Sequence, residues 1–195
     1  MKTLFQSIKL LLVMTFLLGG VYPLAVTNLG AWVFPTQSSG LLLKEHGTVI
    51  GSELIGQNFS KVGYFIARPS AAGEDGYDAL SSSGSNLAPT NKLLLDRIEV
   101  RKEALHVRFG EGEIPSDLVM TSGSGLDPHI SKLAALYQVK TIAKERHVDE
   151  VQMLELVNQH IEKKFLGFIG EERVNVLLLN RALDKHFGVL NPQHE

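Results

Sequence analysis

The sequence predicts a single membrane-spanning helix followed by an α+β domain with a small sheet. Three observations carry that prediction. From Leu10 to Leu43 there is no charged residue, and Leu10–Phe34 is almost wholly apolar. Beyond Lys44 the chain becomes charged and mixed, with several stretches of apolar residues at helical spacing. Short β-rich runs, such as Tyr64-Phe65-Ile66 and Val174-Asn175-Val176, fall between those stretches.

A bilayer core takes about 20 residues of apolar helix, and 10–34 exceeds that length. A secretory signal has a basic start, an apolar core of about 7–15 residues and a small-residue cleavage site. Lys2 and Lys9 supply the basic start, and Leu10–Leu18 alone is long enough to be such a core. The apolar character nevertheless continues to Phe34, and no A-x-A site follows Leu18, which favours a retained span. Trp32 and Phe34 suit the membrane interface at its far end. No Lys or Arg lies between Lys9 and Lys44. The positive-inside rule therefore places 1–9 in the cytoplasm, 10–34 across the membrane and 35–195 outside it. Within the span, Pro23 removes a backbone donor and predicts a kink. Gly19 and Gly20 permit close approach of another helix, and Thr27 and Asn28 favour a protein neighbour over lipid.

The external part is long enough for one compact domain with its own core. The chain has no cysteine, which excludes disulfides, thiol catalysis and thiolate metal sites. It carries 19 Lys and Arg against 21 Asp and Glu, for a net charge of −2, too mild and mixed for a nucleic-acid surface. The histidines show no metal-ligand spacing such as H-E-x-x-H, so no metal site is predicted.

After the span, Leu41–Lys44 and Thr48–Ile50 read as two strands around a turn at Glu45-His46-Gly47. A Gly-bounded connection, Gly51–Gln57, follows. Tyr64-Phe65-Ile66 is a strand candidate that ends at Arg68-Pro69. Residues 69–91, rich in Ser, Ala, Gly and Asn, form a long loop of a kind uncommon in compact domains. Ser83, Gly84, Ser85, Asn86 and Asn91 are its candidate ligand contacts; a mobile surface loop and a loop ordered by a partner are the other readings. A helix is expected over 91–107, with Leu94, Ile98 and Leu105 inward. Asp127 as N-cap and Pro128 at the first helical position predict another, with Ile130, Leu133, Ala134, Tyr137 and Thr141 on its apolar side. A third starts after Asp149, with Gln152 as its capping-box partner and Val151, Leu154, Val157 and Ile161 inward. An apolar loop, Phe165–Gly170, and a last strand, Val174–Val176, precede a short helix bearing Leu179, Leu183 and Phe187, stopped by Gly188.

The most suggestive local motif is Ser122-Gly123-Ser124-Gly125-Leu126-Asp127-Pro128-His129. Gly-flanked amides at Ser122, Gly123, Ser124 and Gly125, with Asp127 behind them, could take an anion. Ser124, Asp127 and His129 together could also suggest hydrolytic chemistry. The segment is neither a G-x-S-x-G elbow nor a phosphate loop, and a turn feeding a capped helix is the plainer reading.

In order and spacing, several blocks resemble the C subunit of the bacterial Kdp potassium-importing P-type ATPase. They are Gly51–Gln57, Tyr64-Phe65 and Arg68-Pro69-Ser70-Ala71, Gly84-Ser85-Asn86-Leu87 with Pro89 and Asn91, Ser122–Ser131 and Val174–Leu177. The departures are Ser83 and Ala88 where that family usually has glycine, and Glu172 where it usually has proline. The resemblance implies a complex with a potassium-selective channel-like subunit, an ATP-hydrolysing subunit and a very small membrane subunit. The complex would use ATP and potassium, and this chain would bind no cofactor itself. It would be an accessory, non-catalytic subunit needed for assembly and activity, docked on the potassium-selective subunit in the inner membrane. The resemblance also carries an alternative: a catalytic chaperone that raises the ATP affinity of the hydrolysing subunit, with nucleotide contact through residues 81–91. The charge argument opposes direct contact, because ATP is cytoplasmic and the domain is expected outside.

Overall fold

The computed structural model describes residues 1–45 and 47–190. Two compact units divide the chain, one ending at Ser52 and one beginning at Glu53.

In the first unit, α1 (Lys2–Phe16) and α2 (Tyr22–Val33) are joined by a π-helical turn, Leu17–Val21. Together they form one continuous helix, Lys2–Val33, long and apolar enough to cross a membrane. The wide turn has a cause in the sequence. Pro23 has no N–H for the Gly19 carbonyl, and its ring crowds that carbonyl. The Tyr22 N–H instead bonds the Leu17 carbonyl five residues back, and the extra residue is absorbed. Asn28 meets its need for a partner locally, since its Nδ2 donates to the Leu24 carbonyl at 2.7 Å. A single turn, α3 (Pro35–Ser38), leads to an antiparallel hairpin of β1 (Leu42–Glu45) and β2 (Thr48–Ser52). The predicted turn includes His46, which lies outside the described residues.

The second unit is α+β, as the sequence predicts. It contains α4 (Lys92–Phe109), a 3₁₀ turn at Ser116–Leu118, β3 (His129–Ser131), α5 (Lys132–Glu145), α6 (Glu150–Gln159), β4 (Ile161–Glu162), β5 (Arg173–Asn175) and α7 (Val176–Phe187). The sheet is antiparallel with order β3-β5-β4, so that Ile130 and Ile161 both lie opposite Val174. Helices supply most of the core: Val139, Ile142, Met153, Val157, Leu179 and Leu183 are all but fully buried, with Phe65, Ile130 and Val174. The helix starts follow side-chain caps, with Asn91 accepting from Leu93 N, Asp149 from Val151 N and Asn175 from Leu178 N. Gly188, at φ 85°, stops α7.

Three elements depart from expectation. The helix predicted with Asp127 as its cap begins four residues later, at Lys132, with Ser131 as its cap. Asp127-Pro128 leads instead into β3, where the pairing of His129 with Asn175 outcompetes a helical turn. The Ser131 N–H and hydroxyl are also claimed by Asp117, at 2.7 and 3.1 Å. Its buried face is accordingly Ala134, Ala135, Gln138, Val139, Ile142 and Ala143, and Leu133 is exposed. On α6 the inward side is Met153, Leu156 and Val157, while Val151 faces out. Tyr64-Phe65-Ile66 joins no sheet. Asn180 accepts from Phe65 N and donates to Phe65 O, both at 2.9 Å. Gln138 accepts from Ile66 N at 2.8 Å, and its Nε2 donates to Ile66 O at 3.4 Å. Two buried amide side chains thus take the place of a neighbouring strand, satisfying backbone groups that burial would otherwise leave unpaired.

Candidate functional site

Blocks far apart in sequence meet at one junction beside the sheet. Leu126 O accepts from Gly56 N at 2.7 Å, and Pro128 O accepts from Val176 N at 2.9 Å. The Asn175 side chain, besides capping α7, donates to Glu53 O at 2.8 Å. Gly56 is held so close that a Cβ there would lie 2.8 Å from Asp127 O.

The two Ser/Gly loops singled out from sequence pack on one another in this junction. Ser82 Oγ donates to Ser124 O at 2.9 Å. A Cβ on Gly84 would lie 2.9 Å from Gly123 O. A Cβ on Gly125 would overlap Ser83 O and come within 2.9 Å of Ala72 N, and Gly125 has φ 68°. Glycine is needed there for both space and backbone conformation.

Of the four amides named from sequence, that of Gly125 turns into the loop, and the two amides that follow it do the same. Gly125 N donates to Ser122 O at 3.3 Å, Leu126 N to Ser124 Oγ at 3.1 Å and Asp127 N to Ser122 Oγ at 3.4 Å. Upstream, Ser70 Oγ accepts from Ala72 N and Tyr77 N, and the half-buried Tyr77 hydroxyl donates to Arg68 O at 2.6 Å. Burial pushes the Tyr77 phenol up against a weaker opposing pull from Arg101. Of the other predicted contacts, Asn91 is occupied as the α4 cap, Asn86 has left-handed backbone at φ 51°, and Ser85 is half-buried. Gly19, Gly20, Pro23, Thr27 and Asn28 lie on Lys2–Val33 in the first unit.

A chain of charged groups runs along the sheet end of the junction. Arg68 Nη1 lies 3.3 Å from Asp127 Oδ2, and His129 Nδ1 lies 3.2 Å from Asp127 Oδ1. His129 Nε2 faces Glu162 Oε1 at 3.4 Å, and Glu162 Oε2 accepts from Arg173 Nε at 2.8 Å. Burial alone would raise the Asp127 carboxyl. The His129 ring, the His129 N–H and the Arg68 guanidinium outweigh it and hold the group below the ordinary carboxylate range. Both ring nitrogens of His129 therefore face carboxylates, while the Ser124 hydroxyl accepts a backbone bond. This arrangement ties β3, β4 and the Arg68 segment together. It does not set Ser124 against His129 as nucleophile against base.

Sequence reasoning missed a second anchoring group, Arg146. Its guanidinium is buried; Nε donates to Gly63 O, Nη1 to Gly188 O and Nη2 to Asp184 Oδ1, at 2.7, 2.8 and 2.8 Å. It also lies over the Tyr64 ring, whose hydroxyl donates to Asp184 Oδ2 at 3.0 Å. Every partner is distant in sequence, so only the lone arginine at the end of an amphipathic helix was visible.

A family model described as the c chain of the K+-transporting ATPase, KdpC, matches residues 4–185. The potassium-transporting ATPase KdpC subunit of Acidobacterium capsulatum is 51% identical over 168 residues, covering 86% of this chain and 90% of that one. The KdpC subunit of Dechloromonas aromatica is 49% identical over 187 residues, covering 94% and 98%. That of Koribacter versatilis is 46% identical over 183 residues, covering 94% of each.

Proposed function

The chain belongs to the KdpC family, the c chain of the K+-transporting ATPase, and on that footing we propose that it is an accessory, non-catalytic subunit of an ATP-driven potassium-import complex. In this reading it sits in the bacterial inner membrane with residues 1–9 inside, 10–34 across and 35–195 outside. It docks on the potassium-selective subunit, alongside the ATP-hydrolysing subunit and a very small membrane subunit, with lipid covering what they leave.

The observation that carries the reading is the uncovered helix. Lys2–Val33 is long and apolar enough to span, and none of its most apolar stretch is buried. Open apolar surface of this extent is covered by lipid or by neighbouring helices, and the small and polar residues Gly19, Gly20, Thr27 and Asn28 favour a helix on one side. The site supports a non-catalytic part, because its serines, Asp127 and His129 are engaged in holding loops and strands together. The same packing weighs against direct nucleotide contact through 81–91, since Ser83 and Gly84 are pressed onto Gly123 and Gly125. An effect on ATP affinity would travel through coupled conformations of the complex.

Replacing residues 1–34 with a cleavable export signal tests this directly. The exported domain is expected to fail to co-purify with the potassium-selective subunit and to leave cells unable to take up potassium at low external concentration. Full assembly and uptake without the span would refute the docking role.

A further inference from the structure

The connection between β4 and β5 ends in a tip that this unit does not cover. Phe165 N donates to Ile169 O at 2.8 Å and Ile169 N to Phe165 O at 2.9 Å, closing a tight hairpin. Leu166 and Gly167 at its end have φ 52° and 83°, the sign pattern of a type I′ turn. Asn or Gly is the usual residue at the first of those positions, and a leucine there strains the backbone. That leucine is 70% exposed, beside Phe165 at 69%, Phe168 at 74% and Ile169 at 49%. Single exposed apolar residues are ordinary, but four on one strained tip mark an interaction site.

We propose that this tip inserts into an apolar groove on a partner subunit of the same ATPase complex, an inference that rests on the docking role above. Relatives of this chain are named as subunits, so part of its surface has subunit neighbours. The stem is electrically balanced. Glu162 pairs with Arg173 and Lys164 with Glu171, at 2.8 and 3.2 Å, and with Lys163 and Glu172 the stem carries three bases against three acids, so it has no net positive charge of the kind that draws a loop to anionic lipid. The hairpin is also pre-shaped by its own backbone bonds, so little ordering opposes insertion, and two phenylalanines supply anchors.

The test uses the full-length chain expressed with its complex in membranes. A photo-crosslinking phenylalanine analogue in place of Leu166 should give a covalent product with a protein subunit of the complex. Products with lipid alone, or no product in a complex that still holds the chain, overturn the proposal while leaving the docking role intact. Leu166→Gly relieves the strained turn, so the thermal midpoint should hold or rise while retention in the complex falls. Phe165→Ser combined with Phe168→Ser should weaken retention about tenfold or more. Unchanged retention in both variants overturns the proposal. Failure of the unaltered chain to co-purify would bring down both the docking role and the tip.

Discussion

Gly123 and Gly125, two residues apart in one motif, have opposite surroundings. A Cβ on Gly123 meets nothing within 4 Å, whereas one on Gly125 overlaps Ser83 O, with φ already at 68°. Gly125→Ala should therefore destabilise the fold by about 2–4 kcal/mol, and Gly123→Ala by less than about 1. Thermal unfolding of the two variants checks the contrast. At Asp127 the effect depends on pH. Its carboxyl is held below the ordinary range in the folded state, despite burial, by His129 and Arg68. Such a group contributes stability that is present above the unfolded value, about pH 4, and is lost as pH falls through the lower folded value. Asp127→Asn should lower stability at neutral pH and flatten the acid limb of a denaturation series below about pH 5. An unchanged acid limb would remove the Arg68–Asp127–His129 linkage from the account. The motif residues were visible in the sequence. Their use against Ser83, Ala72 and Arg68 was not, because those contacts join residues far apart in the chain.

At the scale of elements, local signals served where local physics decides. α4 and α6 start where the sequence places them, beside Asn91 and Asp149 as caps; Asn175, read as strand, both ends β5 and caps α7. Asp127-Pro128 has the same appearance, yet pairing with β5 converts the following three residues to strand, a competition no local pattern shows. Tyr64–Ile66 reads as strand because its backbone does need partners; they come from Asn180 and Gln138 on two helices. On α6 the predicted Leu154 and Val157 do pack on the core, joined by Met153 and Leu156; Val151 shares their spacing but lies exposed in the first turn. In the first unit, Pro23 sets the π turn at Leu17–Val21. Pro23→Ala should restore regular bonding there and turn α1 relative to α2 by about 100°, one residue's rotation. Because the chain lacks cysteine, single cysteines placed along α1, with and without the Pro23→Ala substitution, give an unambiguous crosslinking pattern. The labelled face should shift, and assembly should weaken if that face packs on a neighbour.

For the molecule as a whole, residues from most blocks behind the family resemblance converge within the second unit: Glu53 and Gly56, Arg68 and Ala71, Gly84, Gly123–Asp127, and Asn175 and Val176 all contribute to the junction beside the sheet. The Ser122–Asp127 loop uses its two serine hydroxyls and the Gly125, Leu126 and Asp127 amides internally, while the apolar helix and the Phe165–Ile169 tip remain open. An accessory docking subunit accounts for both features, provided the domain lies on the far side of the membrane from ATP. Intact spheroplasts carrying the full chain and its complex, treated with an impermeant protease, test that condition most directly. The account predicts that the domain beyond residue 35 is digested from outside while a cytoplasmic marker stays whole. A domain protected until the cells are lysed would contradict the account and return the nucleotide-contact reading to first place.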